Sequence, residues 1–183
     1  MKITILNANQ NQDNTEFDKQ IIALDKSLKE KSKDSSVFQL RDMNIKYCIG
    51  CWTCWWKTPG KCIFKDDTEI LYKSVINSDF VIFASPIITG FVSSLMEKTK
   101  DRLIPLLHPY IEIVNDECHH RKRYDNYPDI GLLVQKEDLT DDEDMQIIED
   151  LFKRFALNFR SELKYVKFFD SNMEEIVNET CNI

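Results

Sequence analysis

The sequence predicts an α/β fold: a three-layer, doubly wound sheet of five parallel strands in the order 2-1-3-4-5. Three observations predict it. Short apolar runs alternate with amphipathic stretches along the chain, the pattern of a parallel sheet covered by helices on both faces. The runs at residues 79–84 (Asp-Phe-Val-Ile-Phe-Ala) and 130–134 are almost continuously apolar, as strands buried on both sides are. No internal repeat and no Pro/Gly/Ser-rich linker interrupts the 183 residues, so 1–183 reads as one domain, large enough to bury a core without disulfides.

The elements follow in order. Lys2–Asn7 is strand-like. Residues 14–31 place Phe17, Ile21, Leu24 and Leu28 on one helical face, with Asp13 or Asn14 as cap. Residues 36–40 form the second strand, and residues 45–65 a cysteine-rich loop. Asp66 is expected to open a short helix with Glu69 as capping-box partner. After the strand at 79–84, residues 93–104 read as helix, ended by Pro105. Residues 108–128 read as polar and irregular. Beyond the strand at 130–134, Thr140 is expected to cap a long helix with Glu143 completing the box, its apolar face formed by Ile148, Leu151, Phe152, Phe155 and Phe159. Residues 163–169 give the last strand, followed by a short helix. Right-handed crossovers then put a ligand site at the carboxyl ends of the strands, lined by loops 7–15, 85–92 and 135–140.

Composition excludes several functions. With 31 acidic against 24 basic residues the net charge is -7, which disfavours nucleic acid and anionic membranes as partners. Residues 1–7 are too short and too soon polar for a signal peptide, and no apolar run spans a bilayer. A cytoplasmic location is expected, where thiols stay reduced, so the six cysteines are not read as a disulfide framework. The basic run His119, His120, Arg121, Lys122 and Arg123 reads as a solvated loop, with a site for a pyridine-nucleotide phosphate as the alternative. The acidic residues 137–144 suit a helix N-terminus and are read as structural.

Three motifs bear on chemistry. The loop Asn7-Ala8-Asn9-Gln10-Asn11-Gln12-Asp13-Asn14-Thr15 joins a strand end to a helix N-terminus, where free N–H groups attract phosphate; the alternative is a polar turn with a cap. The loop Ser85-Pro86-Ile87-Ile88-Thr89-Gly90-Phe91 combines a stiff turn with a glycine and could press a flat ring against backbone amides. Cys48, Cys51, Cys54 and Cys62 follow the spacing C-x2-C-x2-C-x7-C, which suits an iron–sulfur cluster or zinc, a redox pair at Cys51 and Cys54, or packing of a loop. Trp52, Trp55 and Trp56 beside them read as core or subunit-interface packing, with one indole covering a bound ring or closing a substrate pocket as the alternative. No Ser-His-Asp or Cys-His pair stands out, and no residue is assigned as catalytic.

Taken together, Cys-Ile-Gly-Cys-x-x-Cys-Trp, Gly60-Lys61-Cys62, Asp66-Asp67, the run from Asn77 to Pro86 and Lys100-Asp101-Arg102 resemble the NAD(P)H-dependent FMN reductases and iron–sulfur flavoproteins of the flavodoxin superfamily, over about residues 1–105. The resemblance implies a flavodoxin-like domain in a dimer or tetramer that passes electrons from NAD(P)H or a ferredoxin through FMN to an acceptor. It implies FMN phosphate at Asn9, Gln10, Asn14 and Thr15, and the flavin ring along Ser85, Pro86, Ile87, Ile88, Thr89 and Gly90. In the iron–sulfur subgroup, the motif matching Cys48, Cys51, Cys54 and Cys62 ligates a 4Fe-4S cluster. The chain departs from the family at three places: the first loop keeps only Asn14-Thr15, Ile88 replaces the usual Tyr, and the third loop is Gln135-Lys136-Glu137-Asp138 instead of glycine-rich. These departures imply an alternative, a non-catalytic scaffold acting through oligomerisation or partner binding.

Overall fold

The computed structural model describes residues 1–183. In chain order the elements are β1 (Lys2–Asn7), α1 (Thr15–Glu30), β2 (Asp34–Gln39), α2 (Thr53–Trp56), α3 (Thr68–Ile76), β3 (Phe80–Ile88), β4 (Phe91–Val92), α4 (Ser94–Asp101), β5 (Leu107–Val114), β6 (Glu117–Lys122), β7 (Asp129–Gln135), α5 (Asp142–Asn158), β8 (Leu163–Phe168) and α6 (Met173–Cys181). The long strands pair in parallel in the order β2-β1-β3-β7-β8, which is the expected doubly wound order.

The alternation of side chains along the strands builds two cores. Ile3 and Ile5 of β1 with Phe80, Ile82 and Ala84 of β3 face α1 and α6, where Phe17, Ile21, Leu24, Leu28, Ile176 and Val177 cover them. Leu6, Val81, Phe83, Ile130, Leu132 and Val134 face the other way, under α3, α4 and α5. Each fully buried side chain of this kind contributes roughly 1.5–3 kcal/mol. Gly131 of β7 is required by its neighbour: a Cβ there would stand 2.5 Å from the Tyr165 ring. That ring is buried, and its hydroxyl is 2.9 Å from Thr180 Oγ1.

The structure corrects five local expectations. Residues 108–122 are not irregular, although 123–128 are: β5 and β6 form an antiparallel hairpin that turns at Asn115 and Asp116, both with positive φ. Its single supported face, which rests on α5, leaves too little apolar alternation to read. The basic run therefore lies on a strand and its end; His119 is buried between Asn158 and Glu117, and Arg121 lies against Glu112. Asp66 makes no capping box; α3 starts at Thr68, and Asp66 is a buried ion-pair partner of Arg102. The cap of α5 is Asp141, in a reciprocal box with Asp144, whereas Thr140 Oγ1 accepts the Glu137 N–H. Finally, α4 ends at Asp101, and Pro105 lies in a separate 3-10 turn, Ile104–Leu106.

No helix is long and apolar enough to cross a membrane.

Candidate functional site

The loop after β1 is held from inside by asparagines. The Asn7 side-chain carbonyl accepts the Asn9 N–H (2.9 Å), that of Asn9 accepts the Asn11 N–H (3.1 Å), and that of Asn11 accepts the Asp13 N–H (3.0 Å). This ladder of Asx turns satisfies alternate N–H groups. The N–H groups of Gln10 and Gln12 make no hydrogen bond within the chain. They stand just ahead of the N-terminus of the sixteen-residue α1, where donors and helix dipole favour an anion.

The side chains expected at a phosphate divide into two groups. Gln10 and Thr15 are exposed. Asn9 is fully buried, its amide donating to Asn14 O (2.9 Å) and Asp18 Oδ1 (3.1 Å). Asn14 caps α1 by accepting the Phe17 N–H, and donates to Gln135 Oε1 at 2.6 Å. Beneath the loop, Asp18 collects Asn7, Asn9, Gln39 and Arg41, the last through Nη2 at 2.8 Å. Burial pushes the Asp18 carboxyl up, but these donors, Arg41 first, overcome it and hold the pKa at about 2. Arg41 also donates to Asn9 O, so the cation missing from the loop's own sequence arrives from the turn after β2, already paired.

The loop after β3 is equally braced. Ser85 Oγ donates to Pro86 O and accepts the Ser93 N–H, each at 2.8 Å; Ser93 Oγ donates to Ala8 O, and the Ala8 N–H to Ala84 O. Ser85, Pro86 and Ile87 are buried behind the surface; Ile88, Thr89 and Gly90 reach it. Thr89 and Gly90 both have positive φ, a two-residue hairpin turn of the type I′ kind leading to β4. The third loop lies against this turn. Glu137 Oε2 accepts the Thr89 N–H at 2.8 Å, and a Cβ on Gly90 would stand 2.7 Å from Asp144 Oδ1.

All four motif cysteines line one cavity of about 460 Å³, together with Trp52, Lys100, Arg102 and His120. Cys48 and Cys51 are exposed, Cys62 is half-buried and Cys54 is buried. Burial, and then the neighbouring Cys62, Cys48 and Cys51, push the Cys54 thiol up to about 11. Hydrogen bonding to Thr53 lowers that of Cys51. The thiols share the cavity without converging, since no three His, Cys, Asp or Glu side chains close to the distance a single metal ion needs. A four-iron cluster, ligated by four thiolates at separate irons, spreads its ligands more widely than one tetrahedral zinc. The donor set of four thiols on one cavity fits that group in kind.

Two devices fix the cysteine loop. Asp66 Oδ2 accepts the Lys46 N–H and Asp67 Oδ2 the Asn44 N–H, which closes the loop at its base. Trp55, buried, donates to Ile104 O and packs on Trp52 and His120 at 4.7 and 5.0 Å between ring centroids. Trp55 is thus core packing as expected, while Trp52 and Trp56 stay exposed. Helix α4 separates this cavity from a cleft of about 480 Å³ walled by Gln10, Ile88 and Ser94; Glu97 and Asp101 line both. Asp18 and Arg41 were not distinguishable as site residues in the sequence, because each acts through partners from distant segments.

The chain matches the family model described as NADPH-dependent FMN reductase over residues 1–120. It is 38% identical over 90 residues to an iron-sulfur flavoprotein of Archaeoglobus fulgidus, a match covering 46% of this chain and 39% of that protein. An iron-sulfur flavoprotein of Methanocaldococcus jannaschii is 35% identical over 80 residues, covering 44% of this chain and 40% of that one. The aligned part therefore spans about two fifths of the length of these relatives. Among solved structures, an FMN-dependent NADH-azoreductase from Bacillus anthracis in complex with FMN superposes with a TM-score of 0.58 at 12% identity, over 99% of this chain and 94% of that one, a likeness of fold. With the model matched from residue 1 to 120 and the flavodoxin-like sheet in place, the chain belongs to the NADPH-dependent FMN reductase family.

Proposed function

We propose that this chain is a flavin-binding oxidoreductase that takes electrons from a reduced nicotinamide or a ferredoxin and passes them to a small-molecule acceptor. The observation that carries the reading is the pair of free N–H groups at Gln10 and Gln12, beside the exposed Thr15 at the head of α1. They would hold the FMN phosphate, with Gln10 and Thr15 side chains as further donors. Ile88, Thr89 and Gly90 would meet the ring, backed by the Ser85–Ser93–Ala8 hydrogen bonds. FMN, when bound, supplies hydride and electron transfer; the chain supplies binding, orientation and exclusion of water. Asn9 and Asn14 act in this reading by shaping the loop.

The four thiols would hold an iron–sulfur cluster, with the buried Arg102–Asp66 ion pair bracing the wall beside them. The shared wall at Glu97 and Asp101 places that cavity next to the cleft at Ile88, a suitable arrangement for single-electron exchange. A homo-oligomer is also part of the reading. Tyr47, Ile49, Trp52, Trp56 and Ile63 are all exposed around the cysteine loop, and clustered exposed apolar side chains of this kind suit a subunit contact.

An ultraviolet–visible spectrum of protein purified without oxygen, before and after added FMN, with iron and zinc assayed on the same sample, tests all of this. Flavin bands that survive desalting support the flavoprotein, and accompanying iron supports the cluster. No flavin and no metal would sink both. One observation favours a second reading, a scaffold that has given up flavin: the side chains of the third loop already bond to the other two loops.

A further inference from the structure

Three consecutive side chains at the end of β7 reach three different strand ends. Gln135 Oε1 accepts from Asn14 Nδ2 at 2.6 Å, on the loop after β1. The Lys136 ammonium lies 4.6 Å from the centre of the Phe168 ring, at the end of β8. Glu137 Oε2 accepts the Thr89 N–H at 2.8 Å, on the turn after β3. The tip beyond them is closed on itself, with the Thr140 N–H donating to Glu137 O and the Glu137 N–H to Thr140 Oγ1. Residues 135–137 thus tie together the loops between which a ligand at the carboxyl edge of this sheet must sit.

We propose that Gln135 and Glu137 form a clasp across the carboxyl edge of the sheet that flavin must open, so that the flavin-free chain holds part of its own binding site closed. The inference rests on the flavin-binding reading above. Its physics is that of a two-state cleft. The Thr89 N–H and the Asn14 amide are each satisfied by the chain itself in the closed form. A ligand entering between the loops must release both bonds before it gains its own. Apparent affinity then falls in proportion to the open fraction, so a cleft open one-tenth of the time binds about tenfold more weakly than one held open. Glu137 is exposed on the loop and Gln135 is half-buried at the end of β7; neither side chain belongs to either core, so their truncation leaves both cores intact.

The test compares the wild type with E137A, Q135A, E137Q and D138N. FMN dissociation constants come from quenching of flavin fluorescence, and protection of the Thr89 amide from hydrogen exchange in the flavin-free protein. E137A and the E137A/Q135A pair are expected to bind FMN at least fivefold more tightly and to lose Thr89 protection. E137Q, whose amide oxygen still accepts the Thr89 N–H, should stay within twofold of wild type. D138N removes a neighbouring charge that takes no part in the clasp and should do the same. Equal affinities for wild type and E137A would overturn the clasp, as would equal tightening by E137A, E137Q and D138N, which would mark simple charge repulsion. An unprotected Thr89 amide in the wild type would also overturn it. If Thr89 loses protection in E137A but no variant binds FMN, the flavin reading itself fails and takes the inference with it.

Discussion

The Arg102 guanidinium forks across the Asp66 carboxylate, Nη1 to Oδ2 at 2.8 Å and Nη2 to Oδ1 at 3.1 Å, with both side chains sealed from solvent. The same guanidinium donates to Lys46 O and Thr68 Oγ1, and lies over the Phe64 ring. Burial alone would push the Asp66 carboxyl up, but Arg102 and Thr68 hold it well below the usual carboxylate range. The pair joins the end of α4 to the base of the cysteine loop.

Breaking this pair is expected to be costly and non-additive. R102M strands a buried carboxylate and D66A a buried guanidinium, each at about 3–5 kcal/mol. The double variant D66A/R102M leaves no unpaired charge and is expected to lose less than the sum of the two. Urea unfolding of the three variants measures it. Additive losses would show that the two side chains are not one unit.

Much of the scaffold was legible in the sequence, for a physical reason. Strand order and both cores follow from alternation and from helical spacing, as at Phe17, Ile21, Leu24 and Leu28, which are local signals read over a few residues. The hairpin β5–β6 was not legible, since its residues cover only one face and carry His119 inward against Asn158. The site was half legible. The loops and cysteines could be named from spacing, but not which side chains were free. Asn9 is spent on Asp18 nine residues on, and Thr89 on Glu137 forty-eight residues on. Such pairings leave no periodic trace.

Gly131 gives a packing test. G131A would put its Cβ 2.5 Å from Tyr165 Cζ, so the buried ring or the strand beneath it must shift. A loss of roughly 1–3 kcal/mol is expected from the overpacking. Y165L removes the offending ring atoms, so G131A should cost much less in that background. Thermal unfolding of the four proteins of this cycle decides it; an equal cost in both backgrounds would refute the contact.

Acid should attack the first loop before the sheet. Asp18 titrates at about 2 in the folded chain against 3.8 for the ordinary group. A depressed carboxyl contributes stability that is fully present above the unfolded value and is lost as pH falls through the folded one. The contribution, roughly 2 kcal/mol, should therefore disappear between about pH 4 and pH 2. D18N abolishes this titration and should flatten that part of the stability–pH curve while lowering stability at neutral pH. A D18N curve parallel to that of the wild type between pH 4 and 2 would assign the acid sensitivity elsewhere.

The thiols should react in a fixed order in the metal-free protein. The thiolate is the nucleophile, so rate follows both its population and its access. Cys51 is exposed, and Thr53 lowers its pKa; Cys54 is buried, with its thiol pushed up to about 11. Iodoacetamide at neutral pH, read site by site by mass spectrometry, should label Cys51 first and Cys54 last. T53V removes the side-chain hydrogen bond and should slow Cys51 alone, leaving the equally exposed Cys48 unchanged. Reconstitution with iron and sulfide adds a second arm. If the four thiols ligate one cluster, Cys48, Cys51, Cys54 and Cys62 should all become protected together, with Cys118 and Cys181 as unprotected references. Protection of Cys51 and Cys54 only, reversed by a reductant, would instead mark these two as a dithiol–disulfide pair and exclude the four-ligand arrangement.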